Sequence, residues 1–227
     1  MHSSKHLLTN TMLLVNEGFE LIKTKRRVLK DIEYVPTPKE LYEKLTEREG
    51  WPYKQKKEFY HNRDRALCAL LYLGCLRISE ALRIRTSQFE TRSTHILIKG
   101  VELSKTRVRN KPRRIGFREV RLPLSGDRAP FTQLIMNYVK LLGEDARLFP
   151  WSLKRNQWDQ IIGCTRAWQI VNQLLPEYTE HWLRAFGEDY LYDAWQYDLL
   201  AVSDYVKVDY RTLQQYIRKR DLRYPVA

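Results

Sequence analysis

Three cysteines, Cys68, Cys75 and Cys164, form no Cys-x-x-Cys pair, and the five histidines are scattered, so the ligand spacing of a zinc site is missing. Cys68 and Cys75 lie in apolar sequence that reads as helix, where a buried free thiol is the ordinary state. The longest apolar run, residues 66 to 76, is too short to cross a bilayer. The N-terminus lacks the charged, apolar and small-residue order of a signal peptide. From these absences we expect a soluble intracellular protein, cytoplasmic or nucleoid-associated, with no membrane partner. The nine glycines form no phosphate-binding loop, and there is no internal repeat or low-complexity segment.

Acid is also in deficit. Against 40 Lys and Arg stand 27 Asp and Glu, a formal net charge of +13 with pI near 9.7. Such an excess favours a polyanion, because each phosphate neutralised releases condensed counterions. A basic membrane-surface protein would give similar totals. Here, however, the cations are spread through folded-looking segments among aromatics and are not gathered on one amphipathic helix. Nucleic acid is the expected partner.

The chain's 227 residues are enough for one substantial core. Residues 1 to 36 read as a helix followed by a basic linker. The segment VPTPKELYEKL then carries a helix start, with Thr37 as N-cap, Pro38 at the first helical position and Glu40 completing a capping box. A domain boundary is placed there, leaving residues 37 to 227 as one domain. A helix over residues 63 to 73 ends near Gly74, after which RISEALRI resumes helical spacing. THILIKGVELS and GFREVRLPL alternate like two strands joined by the cationic turn KTRVRNKPRRI. Further helices are expected at about 130 to 142, 155 to 174, 181 to 195, 198 to 206 and 211 to 221. The fold class is therefore mainly α with a small antiparallel β-sheet, an α+β domain.

Chemistry is suggested at four places. Arg77 follows the apolar helix, and Glu80, three residues on, is placed to brace its guanidinium so that the fork faces a phosphate; the ordinary alternative is a surface i, i+3 ion pair. His181 and Arg184 stand three apart at a helix start and point to one side. Tyr216 is one of fourteen tyrosines, and spacing is what selects it. A phenol with pKa about 10 needs a base and a cationic pocket to act as a nucleophile. The hairpin, residues 105 to 121, holds eight basic residues and one acid, Glu119, which suits contact with a nucleic-acid backbone.

The segments RDRALCALLYLGCLRISEAL, VELSKTRVRNKPRRIGFREVRLPL, HWLRAF and DYVKVDYRTLQQYI resemble the successive boxes of the tyrosine recombinases, the phage integrase type of site-specific recombinase. The likeness runs over roughly residues 37 to 221. It implies a tyrosine recombinase catalytic-domain fold and an enzyme that cleaves and rejoins double-stranded DNA through a covalent 3′-phosphotyrosyl intermediate. The family's first arginine falls on Arg77 with its acidic partner on Glu80, the H-x-x-R pair on His181 and Arg184, and the nucleophile on Tyr216. The strand lysine falls best on Lys105, with Lys99 and Lys111 as alternatives. By the same resemblance Arg77 and Arg184 stabilise the phosphate oxygens, Lys105 protonates the leaving 5′ oxygen and His181 assists proton removal from Tyr216. Arg107, Arg109, Lys111, Arg113 and Arg114 would bind the DNA backbone. Side-chain cations fill the role that a metal has in other nucleases, so no metal and no cofactor are expected.

Two features depart from the family pattern. Nine residues before the tyrosine, where a His or Trp is usual, stands Lys207, with Val206 in place of the usual glycine. Lysine remains a cationic donor for a non-bridging oxygen, and the unorthodox box suggests an archaeal virus or plasmid integrase. The second departure is the short N-terminus, too small for the family's helical DNA-clamping domain, which implies an excised catalytic domain or a minimal integrase. Strand exchange in the family uses a tetramer on DNA, while the isolated chain is expected to be a monomer. The alternatives are a catalytically degenerate integrase-like DNA-binding or architectural protein, a type IB topoisomerase or telomere resolvase, and a basic helical RNA-binding protein.

Overall fold

The computed structural model describes residues 34–50, 52–103, 116–152, 159–196, 198–211 and 213. The chain divides into the units Met1–Val35 and Pro36–Ala227, and the described architecture is that of the second. Its first helix, α1 (Pro38–Glu47), begins as the sequence indicates. The Thr37 hydroxyl accepts from the Glu40 backbone N–H at 3.3 Å, while the Glu40 carboxylate accepts from the Thr37 N–H at 2.8 Å.

The centre of the fold is α2 (Lys57–Gly74). Ala66 through Leu73 are all nearly inaccessible, Tyr72 at 2% being the most exposed, so the C-terminal half of this helix is enclosed on every side. It packs against α4 (Ala129–Val139), α6 (Glu180–Ala194) and α5 (Cys164–Leu174). Between α2 and α4 lie the short helix α3 (Ile78–Ala81), a single 3-10 turn at Thr86–Gln88, and a three-stranded antiparallel sheet. The strands are β1 (Phe89–Thr91), β2 (His95–Glu102) and β3 (Phe117–Pro123), in the order β1-β2-β3. Helix α7 (Leu199–Val206) follows α6, and Tyr210, Arg211 and Leu213 open a further helical turn.

Several boundaries differ from the periodicity reading. Helix α2 starts six residues earlier than residue 63; of residues 57 to 62 only Phe59 is buried, too little for an apolar periodicity to mark the first turns. Helix α5 begins only at Cys164, after an extended segment that pairs Ile161 with Pro150. The first strand was overlooked, being three residues long and only half-buried. It pairs with β2 as Phe89 with Ile98 through Thr91 with Ile96.

The end of α2 needs partners for its last carbonyls, which no intrahelical N–H reaches. Two buried arginines supply them. Arg118 of β3 donates to the carbonyls of Gly74 at 2.5 Å and Cys75 at 3.0 Å, and Arg128 donates to Leu73 at 3.1 Å. A cation at a helix C-terminus also opposes the negative end of the macrodipole. Arg118 is therefore a correction to the hairpin reading: it is 5% exposed, on the inward face with Val120 and Leu122, and does not face an external backbone.

A third buried arginine, Arg63, lies in the N-terminal half of α2. It donates to Asp64 at 2.9 Å, to the Tyr53 hydroxyl at 2.9 Å and to the Pro150 carbonyl at 3.3 Å. Tyr53 in turn donates to Asp64 at 2.6 Å, and burial, with Asp64 beside it, pushes its phenol up to about 12. Every member is satisfied by another, which marks this network as structural. Among the described residues no helix is long and apolar enough to cross a membrane.

Candidate active site

Cys75 leaves α2 in the left-handed conformation, φ 48°, and turns the chain so that Arg77 becomes the N-cap residue of α3. One carboxylate then fixes Arg77 twice. Glu80 accepts from its backbone N–H at 3.0 Å and from Nη1 at 2.8 Å. Glu80 is 1% exposed, whereas the Arg77 side chain keeps 28% of its surface in solvent. The pair is thus anchored from inside and open outward, unlike a surface i, i+3 pair. Among the described residues no other hydrogen bond engages the Arg77 guanidinium.

Arg184 reaches the same neighbourhood from α6. Its Nε donates to Glu188 Oε1 at 2.7 Å across one helical turn, and the side chains are 12% and 5% exposed. Burial pushes the Glu188 carboxyl up, against the pull of Arg184 and, further off, of Arg118 and Arg77. For Arg184 burial works against the charge, but Glu188 and then Glu80 outweigh it and hold its pKa above the ordinary value. Each ion pair therefore lies within electrostatic reach of the other. Arg77, Arg184 and the buried Arg118, whose pKa burial depresses, lie within electrostatic reach of Glu80 and Glu188.

Helix α6 reaches this position because residue 187 is glycine. A Cβ there would lie 2.1 Å from the Tyr72 carbonyl oxygen and 2.8 Å from the Cys75 sulfur. Burial also pushes the Cys75 thiol up to about 12, with Glu188 adding to the effect. On the far side of Cys75, Leu191, Val202, Val206 and Leu213 close an apolar cluster that ties α7 and the following turn to the end of α2.

The other sequence candidates are placed as follows. His181, in the first turn of α6, is on the side of Arg184; its side chain is 67% exposed and its Nε2 lies 3.6 Å from Glu180. Lys207 ends α7 in the left-handed conformation, φ 53°, and its Nζ donates to Asp204 at 2.6 Å, so its ammonium is engaged on the surface and not with the arginine pair. Lys99 pairs with Glu90. Lys105, Arg107, Arg109, Lys111, Arg113, Arg114 and Tyr216 lie outside the described residues. Sequence reasoning missed Glu188, Arg118 and Gly187. Two signals were available: Glu188 is four residues after Arg184, and Arg118 shares the parity of Val120 and Leu122 on a strand.

The backbone at residue 207 makes a direct prediction. A left-handed C-cap favours glycine, and a lysine pays for the crowding of its Cβ. Lys207→Gly is expected to stabilise the protein by about 1 kcal/mol, since the exposed pair with Asp204 that it removes is worth little. A thermal melt should move up by roughly 2 to 4 °C for a chain of this size.

No family model matches the sequence, and no curated protein matches it. Solved structures are similar in fold. XerH site-specific recombinase bound to a palindromic difH substrate, in a post-cleavage complex, superposes with a TM-score of 0.60 at 16% identity, covering 86% of this chain and 53% of that one. The pre-cleavage complex of XerH with difH gives 0.57 at 16% identity, over 83% and 51%. The chain spans about half the length of these structures. The mostly helical domain with its small antiparallel sheet has the tyrosine recombinase catalytic-domain fold.

Proposed function

We propose that this chain is a tyrosine recombinase that cleaves and rejoins double-stranded DNA, with Arg77 and Arg184 holding the scissile phosphate and Tyr216 as nucleophile. The observation that carries the reading is the pair of arginines, each tethered from inside by a buried carboxylate and each within electrostatic reach of the other's carboxylate, on this fold. Leu213 shares an apolar cluster with Cys75, two residues before Arg77, which supports the choice of a nucleophile that follows it closely in sequence.

The chemistry follows from those groups. The Tyr216 oxygen attacks phosphorus, a phosphotyrosyl bond forms, and the bond from phosphorus to the 5′ oxygen breaks. The phenolic proton passes toward His181, and Lys105 protonates the departing 5′ oxygen. Negative charge growing on the non-bridging oxygens meets guanidinium groups already in place, so little reorganisation accompanies the reaction. Rejoining runs the same steps backward. Strand exchange would use four protomers on two duplexes, with Arg107, Arg109, Lys111, Arg113 and Arg114 on the DNA backbone.

A second reading is favoured by Lys207, whose ammonium is held by Asp204. An integrase-like protein that binds DNA without cutting it would tolerate that arrangement. One experiment separates the two. The full chain is incubated with a library of nicked duplexes of randomised sequence, denaturant-stable adducts are captured, and the nucleotide-bearing peptide is sequenced. The expected result is a nucleotide on Tyr216. Attachment at Tyr210 would move the nucleophile, and retention of DNA without any covalent adduct would overturn the enzyme in favour of the architectural protein.

A further inference from the structure

We propose that Glu188 is a positioning residue, which grips Arg184 by Nε so that only the two terminal amino groups of the guanidinium face the phosphate. The inference deepens the recombinase reading and rests on it for its catalytic part. Its geometric part stands on the ion pair alone.

A guanidinium is planar, and its five N–H bonds point along fixed directions. An oxyanion can dock on the edge shared by Nε and one terminal nitrogen, or on the edge between the two terminal nitrogens. The 2.7 Å bond to Glu188 closes the first edge. Among the described residues nothing engages the Nη atoms of Arg184, so the second edge is left for a ligand. The brace is stiff as well, because Glu188 is 4% exposed and stands one helical turn away on the same helix.

Packing alone does not explain a carboxylate here. Residue 188 follows Gly187, which touches α2, and a buried ion pair is commonly no more stable than apolar residues of like volume. The carboxylate does have a geometric use: as the acceptor for Nε it fixes which edge of the Arg184 guanidinium a phosphate can meet. Arg77 is also secured by a carboxylate of its own helix, Glu80 at i+3, but through Nη1 and not Nε. Both guanidinium groups are thus held at fixed roots, and only that of Arg184 keeps its whole terminal edge clear of its tether.

Two measurements test the inference. In the free protein, the Arg184 Nε–H resonance, assigned by its absence in Arg184→Lys, should exchange slowly with solvent. It should lose that protection in Glu188→Ala and keep it in Glu188→Gln, which retains an acceptor. Fast exchange in the unmodified protein would overturn the brace. The second measurement is single-turnover cleavage of a duplex obtained from the library capture, compared with the same duplex carrying a neutral methylphosphonate at the scissile position. Glu188→Ala should slow the phosphodiester about 100-fold. On the methylphosphonate, which has no anionic charge for Arg184 to neutralise, the deficit should shrink to within about 10-fold. Glu188→Gln should recover most of the phosphodiester rate. Equal losses on both substrates would show a structural effect and overturn the positioning role. If the unmodified chain forms no adduct with any duplex, the recombinase reading falls, and the Nε–H exchange still decides the brace.

Discussion

Arg184→Ala is expected to slow covalent adduct formation roughly 100- to 1,000-fold while leaving DNA retention nearly unchanged. Retention depends on many cations, and the chain carries a net charge of +13, so one phosphate contact contributes little to it. Cleavage depends on where charge develops, and there Arg184 has few substitutes. A stability effect must be separated from the catalytic one. Removing Arg184 leaves Glu188 as a buried carboxylate without its partner, a loss of about 3 to 5 kcal/mol in comparable pairs. The double variant Arg184→Ala with Glu188→Gln removes the stranded charge, so it should recover most of the melting temperature and none of the rate. Arg77→Ala should show a similar fall in rate with a smaller loss of stability, because Glu80 keeps the backbone N–H of residue 77 as a donor. Rates within tenfold of the unmodified protein for both single variants would remove the arginine pair from the mechanism.

The sequence made the frame of this site legible and hid its supports, for identifiable physical reasons. Arg77 and Glu80 could be paired because the i, i+3 relation at a helix start is a local rule, and the structure has that bond. The capping box at Thr37 and the burial of Cys68 and Cys75 were local in the same sense. Arg118 was read with the basic hairpin because composition counts charge and not direction. Its alternation with Val120 and Leu122 carried the direction, and its partners are carbonyls some 44 residues earlier in sequence, which no pattern of charges reveals. Lys207 reads as a free donor only when the same i, i+3 rule is not applied to it: Asp204, three residues earlier, holds its ammonium. Lys105 and Tyr216 lie outside the described residues, and their proposed roles rest on their register in the sequence.

Gly187→Ala is expected to be the most damaging single-methyl change in α6. The added Cβ would fall 2.1 Å from the Tyr72 carbonyl oxygen, a backbone atom that has no rotamer by which to withdraw, and 2.8 Å from the Cys75 sulfur. Relief requires α6 to move off α2, and α2 is enclosed by other elements and cannot follow. Overpacking of this kind costs roughly 3 kcal/mol or more, or a fall of about 6 to 12 °C in Tm for a chain of this length. Gly163→Ala is the matching control, since a Cβ there meets nothing within 4 Å and its backbone is extended; its cost should stay under about 1 kcal/mol. The functional consequence goes beyond stability. Arg184 and Glu188 ride on α6 and Arg77 on the chain leaving α2, so the displacement that relieves the clash also parts the two guanidinium groups. At a temperature where the variant is still folded, adduct formation should therefore fall further than the unfolded fraction accounts for. A rate that tracks the folded fraction alone would mean that the spacing of the arginines is not what the close approach at Gly187 protects.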